Sequence, residues 1–183
     1  KMALTFGFWS EQETQVGQSY ARRLHELVDE VRLAEKMGFD CASLSEQHVA
    51  LGGISSSAPE VVYGYLAAVT SRIKLRPAVT LMPQKINHAL RTAERLAVTD
   101  ILSNGRMEFY AGRANTTIAM RAFNVDPSET LAQMEEGIAL LKINVEFYPK
   151  SGNVYDSLAE AYMTNGDKDL AIENYKKSLE LSP

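Results

Sequence analysis

The segment MEEGIALLKINVEFYPKSGNVYDSL, residues 134–158, marks a change of pattern in the chain. Before it, short apolar runs alternate with amphipathic stretches, as strands and helices do in turn. After it, only helical spacing remains. A chain of 183 residues therefore has room for one α/β region and a small all-helical one.

The first region predicts four β-α units. ALTFGFW (3–9), FDCASLS (39–45), IKLRPAVTLMP (73–83) and RMEFYAG (106–112) are the strands. Pro77 denies the third strand one donor. The helices are expected over 20–37, 59–71, 88–102 and from about Ser128, with Asp126 or Ser128 as its cap. Helices of that length suit crossovers between parallel strands. The long loops follow the strands, at 10–19, 46–58, 84–87 and 113–126. In parallel α/β folds these C-terminal strand ends are where ligands bind.

The second region keeps a fixed spacing: Tyr155-x2-Leu158-Ala159-x2-Tyr162, then Ala171-x3-Tyr175, then Pro183. This resembles the tetratricopeptide repeat (TPR). Pro149 and Pro183 stand 34 residues apart, the period of that repeat. In the same register Gly137 matches Ala171, Ile138 matches Ile172, Lys142 matches Lys176 and Glu146 matches Glu180. Residues 134–149 thus resemble the second helix of a preceding repeat. The expected division is 1–133, a shared helix at 134–149, and a TPR-like hairpin at 150–183.

LVDEVRLAEKMGFDCASLSEQHV, APEVVYGYLAAVTSRIKLRPAVTLMP and HALRTAERLAVTDILSNGRMEFYAGRA follow one another in the first region. Together they resemble the luciferase-like flavin-dependent monooxygenases over about residues 3–141. That resemblance implies a (β/α)8 barrel, here represented by four β-α units, so the expected fold is half a TIM-type barrel followed by a TPR-like helical hairpin. It also implies FMN and O2 chemistry, with binding weakened where only half the barrel stands. A TPR-type interaction module, or a chimera without selected activity, is the alternative.

The resemblance assigns the site residues. His48 and Gln47 occupy the catalytic motif after the second strand, with Glu46 beside them. Gln47 stands where luciferase has its catalytic histidine, which weakens the case for strong acid–base work. Arg113 follows the fourth strand and matches a flavin-phosphate arginine; its fork of donors suits phosphate. Met82 and Pro83 lie where the third strand lines the flavin ring. Asp100 and Arg106 are expected to form a structural ion pair. His25, His48 and His88 lack paired spacing, so no metal site is expected.

Charge and composition narrow the partners. A formal net charge of −4 gives no positive field for nucleic acid or anionic lipid. The single Cys41 suits a reducing compartment, no apolar run has the ~20 residues a bilayer requires, and the expected location is cytoplasmic. In a half-barrel, Phe6, Phe8, Val79, Leu81 and Phe109 would line an uncovered inner face. Pairing of two chains through the open edges, as a homodimer, would cover it. A peptide partner at the TPR helices is a further expectation.

Overall fold

The computed structural model describes residues 4–49, 57–114 and 116–181, with the Phe147 side chain left aside. Two compact units result: residues 1–79 with 95–108, and residues 80–94 with 109–183.

In the first unit β1 (Gly7–Ser10), β2 (Cys41–Leu44) and β3 (Lys74–Pro77) form a parallel sheet in that order. The register pairs Gly7 with Cys41 and Cys41 with Lys74. Residues 106–108 extend the sheet beside β3. There the Leu75 N–H donates to the Arg106 carbonyl and the Glu108 N–H to the Leu75 carbonyl, both at 2.8 Å. α1 (Tyr20–Lys36) begins at Ser19, whose hydroxyl accepts from the Arg22 N–H. It closes before Gly38, which takes a positive φ of 93°. α2 (Pro59–Val69) starts with proline in its first turn.

Strand alternation sorts the side chains. Ala42, Leu44, Leu75 and Met107 join Leu27, Val31, Tyr63 and Leu66 in the helical core. The opposite face carries Ser43, Lys74, Arg76 and Glu108, with Glu108 only 3% exposed between Lys74 and Arg76. The expectation of an apolar inner face is thus corrected for this sheet. Phe8 packs against the helical core and Phe6 is exposed, whereas the sheet's other face is charged and internally paired. The Tyr63 hydroxyl accepts from the Leu44 N–H at 2.8 Å and donates to the Arg76 carbonyl at 2.6 Å. Burial pushes its phenol far up, so it remains protonated.

Arg106 and Asp100 do not pair with each other, contrary to expectation. The Arg106 guanidinium donates to the carbonyls of Ser103 (2.7 Å), Ala67 (2.9 Å), Ile73 (3.0 Å) and Thr70 (3.1 Å), and to the Thr70 hydroxyl (2.8 Å). Asp100 instead accepts from the Met107 N–H at 3.0 Å. Burial raises its pKa, and that one N–H works against the rise.

The second unit holds β4 (Thr80–Leu81) and β5 (Ala111–Gly112), a parallel pair. α4 (Thr117–Ala122) follows, then a 3₁₀ turn over Pro127–Glu129 that Asp126 caps through the Ser128 N–H. α5 (Thr130–Phe147), α6 (Gly152–Asn165) and α7 (Lys168–Leu181) complete it. α3 (Ala89–Ser103) gives residues 89–94 to this unit and 95–103 to the first. The core gathers Met82, Ala89, Ala111, Met134, Ile138, Leu141, Leu158, Ala161, Tyr162 and Ala171, with Phe109 packed against it. Leu81 is buried as well.

The expected third strand, 73–83, is therefore two strands in two sheets, and the expected fourth is likewise divided. Pro77 has no N–H with which to continue the pairing that Leu75 makes with residues 106–108, although the Ala78 N–H still donates to the Leu44 carbonyl at 2.9 Å, and the break falls at Ala78–Val79, whose peptide bond is cis. Among the described residues the strands form a three-stranded and a two-stranded sheet, not a closed barrel. α6 packs against both α5 and β5, and the Tyr110 hydroxyl donates to Asp156 of α6 at 3.2 Å. Gly166 ends α6 at φ 98°, and α7 returns along it.

Candidate functional site

The C-terminal end of β2 presents Ser45, Glu46, Gln47 and His48 in succession. Glu46 and His48 lie on the same side of this extended segment, and His48 Nε2 meets Glu46 Oε1 at 2.9 Å. Both side chains are largely buried. The contact joins a ring nitrogen to a carboxylate oxygen. The ring is thereby held at the strand end. Gln47, between them, is half-buried.

The end of β1 supports this segment. The Ser45 N–H donates to the Ser10 carbonyl at 3.3 Å. Gln12 is fully buried and takes a positive φ of 58°, which is uncommon for a residue with a side chain. Its N–H donates to Ser10 Oγ at 3.0 Å and its Nε2 to the Ser45 carbonyl at 3.4 Å. Gln12 Oε1 has no partner among the described residues. Arg23 of α1 braces the same loop through the Glu13 carbonyl and Ser10 Oγ, and it forks onto Glu30 with two contacts of 3.0 Å. Sequence reasoning missed Gln12 and Arg23. The two-turn spacing of Arg23 and Glu30 on one helix face could have revealed that pair. Nothing in the polar run SEQETQ signals a buried glutamine.

In the second unit, Arg113 follows β5 and is exposed. Its Nη2 reaches Thr130 Oγ1 at 3.5 Å, and among the described residues it enters no ion pair. Met82 and Pro83 follow β4 and are both buried. The Met82 N–H donates to the Gly112 carbonyl at 2.9 Å. Its side chain runs to Gly137 of α5, where an added Cβ would meet the Met82 methyl at 2.7 Å. The Met82 side chain is thus committed to the helical core. Pro83 opens a turn in which its carbonyl accepts from Ile86 and Asn87, and Asn87 Nδ2 returns to the Leu81 carbonyl at 3.0 Å. The structure thus brings Glu46 to His48 in one unit, and places Met82, Pro83 and Arg113 at the strand ends of the other.

Among the described residues no cluster of acidic, histidine or cysteine side chains is arranged to hold a metal. No described helix is long and apolar enough to cross a membrane. Burial raises the pKa of the Cys41 thiol and keeps it in its unreactive form.

Parallel strands with their polar motifs at the C-terminal ends define a class of α/β barrel-type enzyme folds. Residues 4–145 match the family model of the luciferase-like monooxygenases, and residues 152–183 match a tetratricopeptide repeat. The chain belongs to the luciferase-like monooxygenase family. It is 32% identical to limonene 1,2-monooxygenase of Rhodococcus erythropolis over 119 residues, which is 64% of this chain and 30% of that protein. The crystal structure of the monooxygenase RslO1 from Streptomyces bottropensis superposes with a TM-score of 0.69 at 26% identity, over 74% of this chain and 41% of that one. The oxygenating constituent of 3,6-diketocamphane monooxygenase from Pseudomonas putida, a complex with FMN, gives a TM-score of 0.69 at 19% identity over 76% and 38% of the two chains. That second likeness concerns the fold alone. The chain spans between 28% and 39% of the length of the curated relatives it first matches.

Proposed function

We propose that the chain is a flavin binder of the luciferase-like type, descended from an FMN-dependent monooxygenase, and that its turnover by itself is weak or lost. Arg113 carries this reading. It is an exposed guanidinium just after a parallel strand, in a member of this family, with no carboxylate to neutralise it among the described residues. Such a fork fits a phosphate monoester, while the buried Thr130 hydroxyl, which donates to the Pro127 carbonyl at 2.9 Å, only steadies the guanidinium. When bound, a flavin supplies the redox chemistry with O2. The protein's own contribution is position and proton handling. Within the first unit, Glu46 holds His48 Nε2 and so fixes the orientation of the ring. Met82 contributes packing under the β4 end rather than a side-chain contact. The change from the family match to a tetratricopeptide repeat after residue 145 is the reason to expect low affinity and little turnover.

The test is titration of the whole chain with FMN, followed by quenching of flavin fluorescence. Saturable quenching is expected at tens of micromolar or above. Arg113→Ala should weaken it about 10-fold or more, the worth of a charge-assisted hydrogen bond, while His48→Gln leaves binding nearly unchanged. Absence of quenching, or quenching indifferent to Arg113→Ala, refutes the reading. Self-association through strand edges belongs to the same reading. β1 is an end strand, with Leu4, Phe6 and Trp9 exposed at 83%, 62% and 58%. Sedimentation showing only monomer at micromolar concentration would refute that part. The buried, lone Cys41 accords with a reducing, cytoplasmic setting.

A further inference from the structure

Two Asn-Gly dipeptides stand in the chain, Asn104-Gly105 and Asn165-Gly166. Each lies at the end of a helix, and the two glycines take positive φ values of 78° and 98°. An asparagine amide reacts with the next backbone nitrogen most readily when that nitrogen belongs to glycine, which has no Cβ in the way. The fold presents the two sites to this reaction in different ways.

At Asn165 the surroundings oppose it. Nδ2 donates to Asp167 Oδ2 at 2.8 Å. Oδ1 is where negative charge would collect as the nitrogen attacks. It is buried and has no partner among the described residues, so neither a donor nor water stabilises that charge. At Asn104 the side chain is exposed, and no described residue holds its amide. Water can therefore solvate the oxygen. The Gly105 N–H donates to the Asp100 carbonyl at 2.9 Å. That bond closes the last turn of α3, and helix ends fray.

We propose that Asn104 is a site of spontaneous deamidation, and that its isoaspartyl product unseats the end of α3 that Arg106 closes. The Gly105 nitrogen bonds to Asn104 Cγ, the Cγ–Nδ2 bond breaks, and ammonia leaves with the proton of the Gly105 amide. Water then opens the five-membered imide at one carbonyl or the other, giving aspartate or isoaspartate. Isoaspartate puts one extra methylene into the backbone between residues 104 and 105. Both flanks are anchored. Ser103 is fully buried, and its hydroxyl accepts from the Arg106 N–H at 3.3 Å. The Arg106 guanidinium donates to the carbonyls of Ser103, Ala67, Ile73 and Thr70, and the Met107 N–H is tied to Asp100. The path from Ser103 to Arg106 cannot lengthen while all of these contacts stand. This inference is independent of the flavin reading.

The whole chain is aged in mildly alkaline buffer, once folded and once in urea. Tryptic peptides 96–106 and 151–168 are then followed by mass spectrometry and by labelling with an isoaspartyl methyltransferase. In urea the two sites should convert at similar rates. In the folded chain Asn104 should convert about 10-fold faster than Asn165 or more, because only Asn165 keeps a buried, unpaired acceptor. Equal rates in the folded chain overturn the proposal, as does an Asn104 that stays intact there while it converts in urea. The consequence is read separately, in urea unfolding followed by Trp9 fluorescence. Fresh Asn104→Asp carries the new charge on an ordinary backbone, and aspartate tolerates the left-handed region, so its midpoint should stay close to that of the unmodified chain. The isoaspartyl fraction of the aged protein should unfold at lower urea than Asn104→Asp. Identical midpoints for the two overturn the claim that the added methylene loosens the helix end.

Discussion

Replacing Arg106 with methionine tests the clearest energetic claim of the fold. The guanidinium, in a residue 8% exposed, satisfies the carbonyls of Ala67, Thr70, Ile73 and Ser103. Ala67 and Ser103 lie in the last turns of α2 and α3, where carbonyls have no partner within the helix and a cation is favoured. One side chain therefore closes two helix ends and the loop into β3. Methionine keeps much of the stem's volume and removes every donor. A buried acceptor left unpaired costs about 1–3 kcal/mol. Four at once would exceed that several-fold, but water entering the guanidinium's place recovers part of it. A net loss of about 4 kcal/mol is expected, at the upper end for one substitution and a large share of the roughly 5–15 kcal/mol typical of a domain. Arg106→Lys, with three donors on a single nitrogen, should lose about 2 kcal/mol. The assay is urea unfolding followed by fluorescence of Trp9, the only tryptophan, which lies in the same unit as Arg106. A loss below about 1 kcal/mol for the methionine variant would refute the reasoning. So would a strong coupling between Arg106→Met and Asp100→Asn in a double-mutant cycle, which would restore the ion pair.

Three further outcomes are expected. Tyr63→Phe leaves the Leu44 N–H and the Arg76 carbonyl unpaired in the core, and should cost about 2 kcal/mol in the same urea assay. Glu35 is partly buried, which raises its pKa, yet N–H groups of Ile73, Arg72 and Ser71 bind its carboxylate and hold the net value below the usual range. Its contribution is thus present above the unfolded pKa of about 4.3 and fades as pH falls through the lower folded value. Glu35→Gln should lower stability at pH 7 and flatten that acid decline in melts recorded from neutral pH downward. Gly166→Ala puts a side chain at φ 98° and should cost about 1 kcal/mol, read as a lower thermal midpoint.

The helices were legible because their apolar spacing and caps act locally. Gly38, Pro59 and Gly166 each do at a helix end what short-range chemistry demands. The strands were less so. An apolar run reports that a segment is buried, but not which sheet buries it. IKLRPAVTLMP therefore reads as one strand although its halves join different sheets. The charged face is encoded in the alternation of Lys74, Leu75 and Arg76. At the candidate site, the i, i+2 placement of Glu46 and His48 is a sequence fact, and an extended segment brings them together. Gln12 depended on a loop conformation that no periodicity encodes, and Arg106 on acceptors from three separate segments.

α5 buries two different sides of one cylinder. Gly137 abuts Met82, while Lys142, about 140° further round at 100° per residue, lies over Tyr162. The helix is a party wall, owned by the structures on both sides of it. A fragment cut before it would leave Met82 and Ala111 bare, and one begun after it would leave Leu158 and Tyr162 bare. Anyone dividing this chain for expression should expect both pieces to need the same eighteen residues, Thr130–Phe147. A cut at either end of the helix should yield one soluble fragment, the one that retains the wall.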